Sequence, residues 1–358
     1  MTPKTVLALS FSLSVLAGCG SDPADGPHGG GSNGTAGGGS NGAASADPLQ
    51  APLGLDGSKL VLAENNELTA EKAALGKKLF FDPRLSASGE MGCVNCHYPD
   101  KAFTDGLQHS KKDSGKMNSR NSPTMYNVGY YPHLYWDGRK VGLESNVLAA
   151  WTGQLGGKPA EVAEKLNGVA AYKEEFQAAF GKDASEETIV HALCSFLRTL
   201  RTGNSAYDKF VAGDKDALTK EQQDGHALFL GKAGCVVCHT PPLFSNAPMN
   251  SYHNVGIGMG TDSEDLGRAK ATKKSSDNGK FKTPTLREVA RTAPYFHDGS
   301  VATLKEAVTI MAGGGIANSN KDPLLMDRAL SDAEIDQLVA FLGALNGDVA
   351  WTDPVLPK

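Results

Sequence analysis

Cysteine is scarce in this chain, six in 358 residues, and at that density the thiols cannot form a disulfide-stapled scaffold. Charge of one sign is scarce too. A net charge of −5 and an isoelectric point near 6 argue against a nucleic-acid partner and leave a basic or neutral protein partner open. Strong alternating strand patterns are missing, so the fold expected is mainly α-helical. At 40% hydrophobic residues, the length suffices for two compact domains.

What is present starts with how the cysteines are spent. Four of the six fall in Cys93-Val94-Asn95-Cys96-His97 and Cys235-Val236-Val237-Cys238-His239, both of the form CxxCH. At these residue frequencies about 0.0025 such matches arise by chance. Zinc ligation or a disulfide would leave the following histidine unexplained twice. The pattern is that of c-type haem attachment, in which two thiols add to the porphyrin vinyls and the adjacent histidine becomes the proximal iron ligand. Two covalent haems are therefore expected, held by Cys93, Cys96 and His97 and by Cys235, Cys238 and His239.

The other two cysteines read differently. Cys194 shares a helical face with Val190, Leu193 and Leu197 and is expected to be a buried, inert thiol, with His191 a packed helix residue. Cys19 ends a stretch with Lys4 near its start and an apolar run from Val6 to Leu16, too short for an ordinary membrane span. Leu16-Ala17-Gly18-Cys19 is similar to a bacterial lipobox. Residues 1–19 thus read as a lipoprotein-type signal that places the mature chain on the periplasmic side of a bacterial membrane, anchored through lipid on Cys19. Residues 20–50, rich in Gly, Ser and Asn, read as a flexible tether.

The remainder contains an internal repeat. Leu68-Thr69-Ala70-Glu71 leads to Gly76-Lys77-Lys78-Leu79-Phe80 before the first haem motif, and Leu218-Thr219-Lys220-Glu221 leads to Gly225-His226-Ala227-Leu228-Phe229 before the second. Downstream, Pro123-Thr124 and Pro284-Thr285 each precede an Asp-Gly pair, Asp137-Gly138 and Asp298-Gly299, by the same interval. The expected organisation is an N-terminal haem domain over 51–202 and a C-terminal one over 203–358, both cytochrome c-like with long haem-wrapping loops. The strongest helix patterns are Glu186 to Leu200 and Asp332 to Leu345. Thr219 with Gln222 and Ser331 with Glu334 form capping boxes.

The repeat also separates the two irons. Met311 follows Asp298 at the interval at which Ala150 follows Asp137. A thioether binds iron and a methyl group does not, so a His239/Met311 pair is expected at the second haem and an open face at the first. Met249 and Met259 compete with Met311 by type, but lie too soon after His239 to reach the opposite haem face easily.

These residues resemble a known family. Leu79-Phe80-Phe81-Asp82-Pro83-Arg84-Leu85-Ser86, Arg120-Asn121-Ser122-Pro123-Thr124, Trp136-Asp137-Gly138-Arg139, Phe281-Lys282-Thr283-Pro284-Thr285-Leu286-Arg287 and Pro294-Tyr295-Phe296-His297-Asp298-Gly299 are similar to the bacterial dihaem cytochrome c peroxidases. That superfamily also contains the protein-oxidising MauG-type enzymes. The resemblance implies that the N-terminal haem reduces hydrogen peroxide and that the C-terminal haem takes electrons from a small cytochrome c or cupredoxin. It implies that Trp136 lies between the haems and that Asn121, with the carbonyls of Thr292 and Pro294, binds calcium. It further implies that His109 caps the open haem at rest, and that the protein forms a homodimer.

One departure concerns proton transfer. The family supplies a glutamine and a glutamate, where this chain has Asn146 and Gln154, and an amide does not shuttle protons at neutral pH. Glu144 or a water would then do that work. Three readings follow: peroxide reduction, MauG-like oxidation of a partner protein, and a non-catalytic dihaem electron carrier. The MauG type has a tyrosine where Met311 stands.

Overall fold

The computed structural model describes residues 47, 49–261 and 264–358. The signal-like stretch, Cys19 and the tether through residue 46 lie outside the described residues. In the first half the helices are α1 (Ala70–Phe81), α2 (Leu143–Gln154), α3 (Pro159–Asn167), α4 (Ala170–Phe180) and α5 (Glu186–Thr199). The second half contributes α6 (Ala206–Val211), α7 (Lys220–Leu230), α8 (Ala269–Thr272), α9 (Leu304–Ala312) and α10 (Asp332–Gly343). Strands among the described residues are confined to two antiparallel ribbons, β1 (His133–Leu134) with β2 (Lys140–Val141) and β3 (Tyr252–His253) with β4 (Phe281–Lys282). The fold is mainly helical, with long connections.

Side-chain caps fix where the principal helices begin. Thr69 and Thr219 accept from the amides of Lys72 and Gln222, while Ser185 and Ser331 open α5 and α10 the same way. Glycine then fixes how these helices cross. A Cβ at Gly76 of α1 would stand 1.8 Å from the Ala192 carbonyl oxygen of α5, and one at Gly225 of α7 would stand 1.9 Å from that of Gln337 in α10. No other residue lets the two backbones touch, so this glycine recurs in both halves.

The same repeat is visible in three dimensions. Leu134 pairs with Lys140 in the first ribbon, and Tyr295 bridges Val301 at an offset of 161 residues. Helices α2 and α9 start at Leu143 and Leu304, again 161 apart. Apolar side chains gather into two cores, one around Phe80, Phe103, Phe196 and Trp151, the other around Phe229, Phe244 and Phe341. The end of the chain crosses between them. The segment after α5 carries Tyr207 into the second core, and the segment after α10 carries Val349 and Trp351 onto the first.

Candidate functional site

Each CxxCH run folds as a short 3-10 turn, Cys93–Asn95 and Cys235–Val237, which turns the next histidine inward. His97 Nδ1 lies 2.9 Å from the carbonyl of Phe103, and His239 Nδ1 lies 3.0 Å from that of Phe244. A carbonyl only accepts, so a proton on Nδ1 satisfies this bond in both rings and makes Nε2 the nitrogen that can bind a metal. The two phenylalanines share an uncommon backbone, with φ of 56° and 52° in the left-handed region. Burial lowers the basicity of both imidazoles, that of His239 to about 4, so both rings are neutral, the form that ligates iron. Burial likewise pushes the thiols up, Cys93 to about 12 and Cys235 to about 11.

These residues line two largely apolar cavities, of about 420 Å³ around Cys93, Cys96 and His97 and about 320 Å³ around Cys235, Cys238 and His239. Paired thiols, an oriented imidazole and an apolar chamber fit a covalently held haem at each. Met311, on the last turn of α9, lines the C-terminal cavity, and Ala150, its equivalent on α2, lines the N-terminal one. Neither Met249, which is exposed, nor Met259 lines the cavity of His239. Met326 does, although its side chain is largely exposed at the rim; no motif in the repeat marks it.

The N-terminal cavity holds the amides of Asn146 and Gln154, both from α2, with Gln154 against the Tyr135 hydroxyl. Its lining carboxylate, Asp137, is engaged on both oxygens, by Arg139 at 2.9 Å and Arg120 at 2.8 Å. Glu144 does not reach the cavity. Its carboxylate grips buried Arg198 at 2.7 and 3.1 Å and accepts from Asn66; burial raises its pKa, but these bonds outweigh that and hold it below the usual range. His109 also stands outside the cavity walls. Its loop is held by the Leu107 carbonyl accepting from Asn121 Nδ2 within the same half and by Gln108 packed at Gly299 of the other half, and its buried Nε2 makes no hydrogen bond among the described residues.

Between the cavities runs a wall that both share, formed by Trp136, Lys282 and Pro284. The Trp136 indole donates to the Asn121 carbonyl at 2.9 Å, and its own carbonyl accepts from Lys282 N at 2.8 Å. Burial pushes the Lys282 amine down to about 8, and Nζ sits 5.2 Å from the Tyr131 ring and 5.7 Å from that of Trp136. Sequence reasoning passed over Lys282, although it occupies the repeat position of Asn121. Asn121 N donates to the His297 carbonyl at 2.8 Å, so Asn121 lies on the seam between the halves. Thr292 and Pro294 belong to the loop that ends at His297, with the Thr292 hydroxyl turned back to the Val289 carbonyl.

Comparison with known proteins accounts for this arrangement. The family described as di-haem cytochrome c peroxidase matches residues 70–216, and cytochrome c matches residues 222–346. The cytochrome-c peroxidase IdrP1 of Pseudomonas sp. (strain SCT) is 35% identical over 349 residues, covering 88% of this chain and 90% of that protein. The methylamine utilization protein MauG of Methylophilus methylotrophus is 36% identical over 302 residues, covering 82% and 88%. Among solved structures, a MauG-like protein associated with microbial copper homeostasis superposes with a TM-score of 0.77 at 31% identity, covering 85% of this chain and 95% of that one. The chain is therefore an oxidoreductase that carries two c-type haems, a member of the di-haem cytochrome c peroxidase and MauG family.

Proposed function

We propose that this protein reduces hydrogen peroxide to water in its N-terminal cavity, with electrons entering through the C-terminal centre held by His239 and Met311. The observation that carries this reading is the inequality of the two cavities: one offers a second iron ligand, Met311, where the other offers only Ala150. When bound, the haems supply the redox centres and the open iron face on which the O–O bond is cleaved. Asn146 and Gln154 hold peroxide by its oxygens. With Asp137 and Glu144 both tied to arginines, the proton moved between the two oxygens passes through water and the Tyr135 hydroxyl beside Gln154. Trp136 and Lys282, in the shared wall, span the route between the centres. Each turnover takes two electrons and two protons and releases two waters.

The rims of the cavities support a protein donor at the C-terminal one. Val237, Leu324 and Met326 line it and are at least half exposed, whereas among the described residues none of the exposed large apolar side chains lines the N-terminal cavity. An apolar rim of this kind suits transient docking of a small cytochrome c or cupredoxin. The proposal extends to a calcium ion at Asn121, Thr292 and Pro294, and to a lipid on Cys19 holding the protein on the periplasmic side of a bacterial membrane.

A second reading rests on a peroxide pocket whose lining carboxylate, Asp137, is tied to arginines and whose remaining α2 groups are amides: a slow peroxidase whose oxidising power is turned on a partner protein, as the MauG-type likeness allows. One experiment separates them. The half-reduced protein is titrated with peroxide in the presence of reduced cytochrome c, and oxidation of the donor at two equivalents per peroxide is expected. Negligible donor oxidation, with an oxidised tryptophan or tyrosine appearing in a co-purified protein, would favour the second reading. Two permanently six-coordinate haems that ignore peroxide would overturn both.

A further inference from the structure

The carbonyl that orients each haem histidine belongs to a phenylalanine in the left-handed backbone region, and such a conformation persists only where packing enforces it. For Phe103 the packing is an aromatic cage. Its ring meets Phe80 of α1 at 6.1 Å, Tyr126 at 5.2 Å and Trp351 at 5.1 Å, all edge-on. Trp351 in turn meets Phe196 of α5 at 6.0 Å and lies under Lys77 Nζ at 4.3 Å. The second half repeats this frame, with the Arg287 guanidinium 5.8 Å from the Phe244 ring where the first half has Tyr126. Phe244 meets Phe229 of α7 at 5.7 Å and Tyr207 at 5.0 Å, and Tyr207 meets Phe341 of α10 and His226, the repeat equivalents of Phe196 and Lys77.

Trp351 is supplied across the molecule, and Tyr207, on α6, takes the matching place in the second cage. Trp351 follows α10 of the second half and closes the cage of the first. The tail bearing Trp351 is fastened there, with Arg84 donating to the Pro357 carbonyl at 2.6 Å and Trp351 Nε1 donating to Asp353 at 2.9 Å.

We propose that Trp351 and Tyr207 are positioning residues for the haem ligands His97 and His239, each acting through the backbone of Phe103 or Phe244. Removing Trp351 frees Phe103 to leave its left-handed conformation, and the bond to His97 Nδ1 lengthens or breaks. Partners of a ligating imidazole tune its basicity and orientation, and their loss typically reduces activity by about 10-fold to 100-fold.

The test uses the full holoprotein and reads each haem by its spectroelectrochemical potential, and the N-terminal haem also by its iron–histidine stretching vibration in the ferrous state. In Trp351→Ala the vibration and potential of the N-terminal haem shift while the potential of the C-terminal haem holds, and peroxide kcat falls about tenfold with KM unchanged. Trp351→Phe restores the parent signature. Tyr207→Leu shifts the C-terminal haem alone. Should Trp351→Ala fail to mature, Trp351→Leu carries the same expectation. The proposal is overturned if both haems move together in either variant, or if neither moves while the melting temperature drops, since those results describe general loosening.

Discussion

Glu144 offers the sharpest separation between a structural and a catalytic carboxylate. Its partner Arg198 is 1% exposed and, among the described residues, bonds besides Glu144 to the Val61 carbonyl at 3.0 Å. Glu144→Ala would leave that guanidinium buried and uncompensated. Breaking a buried pair from one side costs about 3–5 kcal/mol, and the partial exposure of Glu144 places this one near the lower end, about 3 kcal/mol. For a chain of this size that corresponds to a fall in Tm of about 4 °C. Glu144→Gln keeps one acceptor oxygen for Arg198 and should lose less. Because the folded pKa of Glu144 is depressed, its stabilising contribution is present above the ordinary carboxyl pKa and disappears as pH falls through the folded value; the deficit of the alanine variant should therefore shrink in acid. Thermal unfolding and steady-state peroxide turnover on the same preparations are the assays. Peroxide kcat within about twofold of the parent is expected from the distance between this pair and the cavity. A loss of about 100-fold or more with an unchanged Tm is the signature of a lost general acid or base, and would refute this assignment.

Met311→Leu should abolish the thioether-to-iron absorption band of the C-terminal haem and lower its potential, with the N-terminal haem unaffected in a redox titration. Gly76→Ala and Gly225→Ala should each destabilise their own half by at least about 3 kcal/mol in denaturant unfolding, because the added methyl meets backbone carbonyls that have nowhere to move. His226 lies among Tyr207, Phe210 and Phe341, and burial lowers its pKa. The unfolded chain then binds more protons than the folded one just below the ordinary histidine pKa, so stability should fall as pH drops through that range. In His226→Phe that part of the pH dependence should vanish.

The site was legible in the sequence where it is written locally. CxxCH fixes its own turn, and the constant interval between the Asp-Gly pairs and the later helix locates Ala150 and Met311 without any structure. Capping boxes mark the starts of α7 and α10 for the same reason: the signal and its effect lie within four residues. Glu144 and His109 could not be placed this way. Whether a carboxylate on the first turn of α2 faces a cavity or a buried arginine depends on Arg198, 54 residues later. The loop of His109 is set by Asn121 and Gly299, the latter from the other half. Trp351 carries no motif at all, and its role depends on a contact with Phe103 across nearly the whole described chain.

The repeat explains why unequal haems arise from equal frames. Asn121 N donates to the His297 carbonyl and Lys282 N donates to that of Trp136, both at 2.8 Å, and an offset of 161 residues converts one bond into the other. The backbone at the seam therefore obeys a pseudo-twofold relation. Side chains break the symmetry. Ala150 faces Met311 across it, Asn121 faces Lys282, and Trp136 faces His297. Each substitution falls on the wall of a cavity or on the seam between the two, whereas the helix-crossing glycines and the histidine-orienting phenylalanines stay identical. Residues that hold a haem in place are thus repeated, and residues that decide what its iron can do are not. On the proposed reading this division lets a single scaffold build a peroxide site beside an electron entry site, and the tail bearing Trp351, which follows the second half, completes the aromatic cage of the first.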